Sequence, residues 1–340
     1  MKRTFSLIFF TAFLSIFPMV SLAQGQSSEQ TICTAFQRNA YNAFATACAG
    51  TEGSQICYGY DSIVAFEDET TPIENFDVGD KLPLENVEAL TSEAYDATMN
   101  QWGLALLQLP DIQVTPTETV SNLRYILFGG VELTDTDEPD TDYDPFQSFT
   151  FATAQDDDCV STPSALFIQS TCIAGDTTVR QFRAEGIDII IDGAAVLLGG
   201  EDAGFIQIVV IYGVVTIQPD VYTDEITEPT DQTRAIVVPV GYTITAPLDP
   251  DEPIDSEDHV GAWSPIRELT REELADLEYI ENLPSNISYC PVSIPTIRLT
   301  SGAGGTVPRL RFPTRDPLLP VIPFCQVANP PAFCAYLGLP

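Results

Sequence analysis

His259 is the one histidine in a chain of 340 residues, so any Ser-His-Asp site would have to use it. No G-x-S-x-G elbow accompanies it, and it stands in the acidic stretch DSEDHVGAW. It is therefore read as a solvated linker side chain, and no catalytic residue is assigned. The 49 carboxylates guarantee chance pairs, so acids alone do not point to a glycosidase dyad. The two densest acidic runs, Asp135 to Asp144 and Asp156 to Asp158, could offer oxygen ligands to calcium. An EF-hand loop needs a central glycine and a terminal glutamate, and neither run has them. Both are expected to be solvated loops, with no metal or cofactor. The glycines between Gly186 and Gly213 fit neither G-x-G-x-x-G nor the P-loop, which argues against a nucleotide site.

Sulfur is the remaining chemistry. Cys33, Cys48, Cys57, Cys159, Cys172, Cys290, Cys325 and Cys334 make an even set without a CxxC pair, which reads as disulfides rather than metal ligands. Ranked by loop length, Cys48 pairs with Cys57, Cys159 with Cys172 and Cys325 with Cys334, leaving Cys33 to join Cys290.

The compartment follows from the first residues. Lys2 and Arg3 precede the apolar run FSLIFFTAFLSIFPMV, and Ser21 to Ala23 supply small residues for cleavage before Gln24. Residues 1–23 are thus expected to be a signal peptide, and the mature chain a secreted, periplasmic or extracellular monomer without a membrane span. Without Lys2 and Arg3, 12 of the 14 basic residues face 49 acids, a net charge of about −37. Such a field excludes nucleic acid as a partner. An NIS triplet at Asn286 matches the glycosylation pattern but presumes a eukaryotic route.

The elements that must position these residues are mostly short. Glu29 to Ala49 lacks proline and reads as a helix, with Ile32, Phe36, Ala40 and Phe44 at helical spacing. Candidate strands follow at Ser62 to Glu67, Trp102 to Leu109, Leu123 to Leu133, Gln147 to Thr153 and Ala165 to Ser170. Acids and turn signals then chop the apolar stretch from Gly186 to Gln218 into strand lengths, with a turn at Asp192-Gly193 and another over Gly199 to Gly204. Strands over Thr233 to Gly241 and Tyr242 to Leu248 complete a mainly β fold, a roll or barrel-like array of short antiparallel strands with a few short helices. Thr270 and Glu273 form a capping box ahead of Leu274, Leu277 and Ile280, so one more helix precedes Leu283-Pro284.

Gly193, Ala194 and Val196, then Gly213, Val215 and Ile217, then Pro239, Gly241 and Ile244 give the segment from Val179 to Leu248 a pattern that resembles the FecR-type domain of bacterial exported proteins. The flanking ICYGYDSIVAF and ELADLEYIENLP are similar to those of secreted FecR-domain proteins. The resemblance implies a compact stack of short strands. It does not bring sigma-factor regulation, because the membrane-spanning helix of the signalling members has no counterpart here. The chain is divided into the signal peptide, an N-terminal disulfide-containing helix and β-rich region (24–175), a FecR-like β domain (176–250), an acidic linker and helix (251–289), and a Pro-rich tail with cysteines (290–340). The tail holds four arginines against Asp316 and is expected to fold back on the acidic body. The expected function is an exported, non-catalytic binding or structural module, partnered by an envelope protein or polysaccharide. The alternatives are a carboxylate-dependent extracellular hydrolase and a ligand-sensing domain of an envelope signalling system.

Overall fold

A computed structural model describes residues 26–289 apart from 69, 116–117, 137–142, 155–158, 160–161, 172–177, 219–234, 255 and 257–258. The signal segment, the tail from residue 290 and most of both acidic runs lie outside the described residues. The chain begins with α1 (Gln26–Ala47), then β1 (Gln55–Tyr60), β2 (Ile63–Asp68), β3 (Thr71–Pro72), β4 (Lys81–Pro83) and β5 (Ala89–Ser92). Next come β6 (Leu104–Gln108), the small hairpin β7 (Ile112–Thr115) and β8 (Glu118–Val120), β9 (Arg124–Phe128) and β10 (Val131–Asp135). They are followed by β11 (Ser148–Thr153), β12 (Ala165–Gln169), β13 (Arg180–Ala184), β14 (Ile187–Gly200) and β15 (Phe205–Ile217). The last elements are β16 (Ile236–Pro239), β17 (Tyr242–Pro247), β18 (Arg267–Glu268), α2 (Arg271–Asp276) and α3 (Glu278–Glu281). The fold is mainly β, as the sequence predicts.

Apart from the separate β7–β8 hairpin, the strands form one strongly bent sheet with two wings. Wing one runs β3-β2-β5-β10-β11-β13 to the first half of β14, and wing two runs from the second half of β14 through β12-β9-β6-β1 to β4. β15 lies along the whole of β14, with β17 on its first half and β16 on its second. The pairings are antiparallel except for β11 with β13. The strands on either side of residue 175 therefore belong to one sheet and contribute to one core cluster.

β14 and β15 correct one expectation. They span 14 and 13 residues, and Asp192-Gly193 is no turn but a point inside β14, where Gly193 faces Gly213 of β15. Both glycines have positive φ, at 138° and 69°. A Cβ on Gly193 would meet the Tyr212 carbonyl oxygen at 2.1 Å, and one on Gly213 would meet that of Asp192 at 1.8 Å. Only glycine lets the two backbones approach so closely, and a register shift follows at once between Ala194 and Ala195. This pair marks the place where β14 passes from one wing to the other. The expected single strand from Leu123 to Leu133 is instead two, split at Gly129 with φ 65°.

Period-two alternation sends each strand of wing two into two cores. Ala105, Leu107, Tyr125, Leu127, Leu166 and Ile168 point between the wings, where they meet Leu133, Phe149 and Phe182 of wing one. The Tyr125 ring lies 5.4 Å from that of Phe149 and 6.2 Å from that of Phe182. Leu104, Leu106, Ile126, Phe128, Ala165 and Phe167 point outward, under Phe36, Tyr41 and Phe44 of α1 and under Leu274, Leu277 and Ile280. The Tyr41 hydroxyl donates to the Tyr279 carbonyl at 3.0 Å and ties the two helical layers together. The capping box is present, with the Glu273 N–H donating to Thr270 Oγ1 at 3.2 Å and the Thr270 N–H donating to the Glu273 carboxylate at 2.7 Å. The helix it starts breaks at Leu277 into α2 and α3.

Candidate functional site

The outer face of wing one is built differently. Its strands alternate buried with more exposed residues, and the register aligns the latter, polar on β5 and β10, into rows. Val64, Thr91, Glu132 and Ala152 lie side by side across β2, β5, β10 and β11, with Thr134 opposite Thr150 in the next row. These side chains are half-buried or exposed, while their neighbours Leu133, Phe149 and Phe151 fill the core. β-Branched threonines favour the extended backbone and leave a flat face of hydroxyls. Where β14 turns into β15, Asp202 overhangs this face, and with Glu132, Thr134, Thr150, Phe151 and Ala152 it lines a recess of about 110 Å³. Pockets that enclose a drug-sized ligand are larger, about 300–1,000 Å³. The recess presents the hydroxyls of Thr134 and Thr150 and the carboxylates of Glu132 and Asp202 at its opening.

A second polar group is buried under the helices. Gln108, Arg124 and Gln169 occupy one register line of β6, β9 and β12, on the outward side of wing two and just beyond its apolar rows. They grip residues 287–289. Arg124 Nη1 donates to the Ile287 carbonyl at 2.7 Å, and its Nε donates to Gln108 Oε1 at 3.0 Å. The guanidinium carbon lies 4.0 Å from the Tyr289 ring centroid, and the Tyr289 hydroxyl donates to Gln108 Oε1. Gln169 Oε1 accepts the Tyr289 N–H at 3.1 Å, while its amide nitrogen donates to Ser288 Oγ at 3.0 Å. Burial lowers the Arg124 pKa from its ordinary value, against the pull of Tyr289. This row clamps the chain where it enters the region from residue 290. Its signal in the sequence is one polar residue in the outward phase of three otherwise apolar strands.

His259 is not the solvated linker side chain the sequence suggests. It is 1% exposed, and its Nε2 lies 3.7 Å from Oε2 of Glu185, which is fully buried. The Asp249 N–H donates to the His259 carbonyl at 2.9 Å, and Leu248 bridges to Val260. Glu185 escapes a sequence reading because it stands in a hairpin turn, where a charge is normally solvated.

Cysteine pairing also differs in part. Cys48 bonds to Cys57 as expected, but Cys33 bonds to Cys159, not to Cys290, so Cys159 is not paired with Cys172. The reason is positional: α1 carries Cys33 over the outer face of wing two, where Cys159 lies in the same core. Cys172, Cys290, Cys325 and Cys334 lie outside the described residues. Among the described residues, no helix is long and apolar enough to cross a membrane, and no three His, Cys, Asp or Glu side chains gather as a metal site.

No protein-family model matches the chain, and no curated protein matches it. Two crystal structures align with it, each of a "putative anti-sigma factor" from Parabacteroides distasonis. One is 11% identical with a TM-score of 0.27, over 51% of this chain and 63% of that one; the other is 10% identical with a TM-score of 0.27, over 45% and 54%. The chain thus spans less than two thirds of either structure's length. At that TM-score the likeness carries no argument about fold or function.

Proposed function

We propose that this chain is an exported, non-catalytic β-rich binding or structural module of the cell envelope or extracellular space. One observation carries the reading: one outer face of the sheet is sealed by helices, while the other is a flat field of threonines and carboxylates with a shallow recess. Such a face suits an extended polysaccharide or a protein surface better than a small substrate needing enclosure. The leader-like residues 1–23, the disulfides and the resemblance of Val179 to Leu248 to FecR-type domains support export. The test is co-sedimentation of the secreted protein with isolated envelope polysaccharide and with envelope protein fractions. Retention on one of them is expected, with at least about a tenfold loss for Thr134→Lys combined with Thr150→Lys, or ~1.4 kcal/mol. Glycan cleavage that disappears in Glu132→Gln with Asp202→Asn would replace the reading with the carboxylate-dependent hydrolase.

A further inference from the structure

The register sets a second row on the outer face of wing one, beside the one that runs from Val64 to Ala152. Phe66 of β2 stands opposite Ala89 of β5, Ala89 opposite Thr134 of β10, and Thr134 opposite Thr150 of β11. Ile63 and Ala65 of β2 belong to the core between the wings, so alternation turns Phe66 outward. It is half-buried and in neither core cluster. Neighbouring strands lie about 4.8 Å apart, so the row measures roughly 14 Å from Phe66 to Thr150. Glu132 and Asp202 line the recess at its far end together with Thr134 and Thr150.

The polar groups of this row differ from those of the next. There, Thr136 Oγ1 and Ser148 Oγ share a hydrogen bond at 2.8 Å, and Arg183, opposite Ser148, donates from Nε to the Gly186 carbonyl at 3.0 Å. The Tyr143 hydroxyl donates to Asp188 at 2.8 Å. Those side chains are satisfied within the protein. At the recess, the hydroxyls of Thr134 and Thr150 and the carboxylates of Glu132 and Asp202 take part in no hydrogen bond or ion pair among the described residues. Four unengaged polar groups thus stand in line with one aromatic ring.

We infer that this row is a subsite for a neutral polysaccharide, with Phe66 seating one sugar ring and the polar groups of the recess binding hydroxyls at the other end. The inference rests on the reading of this face as the binding surface and narrows it to one class of ligand. At about 5 Å per pyranose, close to the strand spacing, the row seats about three units of an extended glycan. A pyranose presents C–H groups on its faces and hydroxyls around its rim. The C–H groups are drawn to the electron-rich face of an aromatic ring, and the hydroxyls donate to carboxylates or exchange bonds with threonines. Among the described residues, row and recess hold two carboxylates and no cation, in a chain of net charge −35. Uronate, sulfate and phosphate groups are therefore repelled. A protein partner would bury an apolar centre, for which the two rows offer only Val64 and Phe66.

The test is the affinity of the full chain for the neutral and acidic fractions of isolated envelope polysaccharide, separated on an anion exchanger. Binding to the neutral fraction is expected to be at least about tenfold tighter than to the acidic one, and unchanged between low and moderate salt. Phe66→Ala should weaken it about tenfold, and Phe66→Leu, which keeps apolar bulk without a ring, about as much. Phe66→Tyr keeps the ring and should bind within about twofold of the unaltered chain. Thermal melts set folding losses apart, and if Phe66→Ala does not fold, the leucine and tyrosine variants decide. Unaltered affinity in Phe66→Leu, or retention on the acidic fraction or on protein fractions alone, would overturn the glycan subsite and leave the broader reading of a binding module standing. Retention on no fraction would fell both.

Discussion

The two outer faces of this sheet are made by the same backbone and come to opposite ends. On wing two, β6, β9 and β12 are buried at every position, and the outward half of each strand is roofed by α1 and the helices after Thr270. On wing one, β10 and β13 alternate and their outward half is polar, while β2 turns Val64 and Phe66 outward. The difference teaches where function can live. A face that is core on both sides has been committed to stability, whereas a face of Thr91, Glu132, Thr134 and Thr150 contributes little to folding and is free to meet another molecule.

The largest effect should come from the roofed face. Phe128 is fully buried, with its ring 5.1 Å from Tyr279, 6.0 Å from Trp102 and 6.3 Å from Tyr41. Phe128→Ala is expected to cost about 3–5 kcal/mol in denaturant unfolding. A cost below ~1 kcal/mol would mean that the roof is not packed on the sheet. The disulfides sharpen the same point. Cys33–Cys159 closes 126 residues and Cys48–Cys57 closes 9. On loop entropy alone, replacing the first pair with serines should cost about 2 kcal/mol more than replacing the second. Equal losses would show that α1 is held by packing instead of by its covalent tie.

The sheet was legible wherever polar residues marked the strand ends or the outward phase. Ser62 to Glu67 is an apolar run between polar ends and Gln147 to Thr153 alternates; the strands found there, Ile63–Asp68 and Ser148–Thr153, lie within one residue of those ranges at each end. Gly193 misled because a strand glycine next to an acid signals a turn, although here its missing side chain permits two backbones to touch at a bend. The candidate sites were less legible. Gln108, Arg124 and Gln169 are remote in sequence and become one line only through register, which periodicity does not specify. His259 looked solvated because the acids beside it are; its partner Glu185 stands 74 positions earlier, and only folding brings them together. The same holds for Cys33 and Cys159, where loop length gave Cys159 the nearer Cys172 and left Cys33 to the distant Cys290.

An intermediate effect is expected at the clamp. Gln169→Ala would leave the Tyr289 N–H without its acceptor and Ser288 without its amide contact. The expected loss is about 1–3 kcal/mol, with faster hydrogen exchange confined to residues 284–289 and the end of α1, where Asn286 Nδ2 donates to the Ala45 carbonyl at 2.8 Å. Uniform loss of protection would make the row part of the general core. A smaller effect belongs to the cap of α2. Hydrogen bonds from Arg267 pull the Glu273 carboxyl down to about 2. A lowered carboxylate stabilises the fold above the ordinary carboxylate range and loses that contribution as pH falls toward the folded value. Thr270→Ala should cost about 1 kcal/mol at neutral pH. Arg267→Ala should flatten the acid limb of the stability curve below about pH 4. An unchanged acid limb in Arg267→Ala would show that the pair is too solvated to matter.

The smallest effect is the most informative for the comparison. Thr134 and Thr150 face each other across β10 and β11, half-buried, with neither in the core clusters. Thr134→Ala removes a methyl and a hydroxyl from the open side and slightly lowers strand propensity, so the change should stay within about 0.5 kcal/mol. Thr134→Lys lays a flexible cation over a recess that also holds Glu132 and Asp202. In a chain of net charge −35, that added positive charge should be neutral or slightly stabilising, and the gain should fade as salt shortens the screening length to about 8 Å near 0.15 M. Melts of both variants at low and moderate salt measure this. A loss of ~2 kcal/mol or more in Thr134→Lys would mean that this face is packed like the roofed one. The contrast between the wings, and the binding surface argued from it, would then fail together.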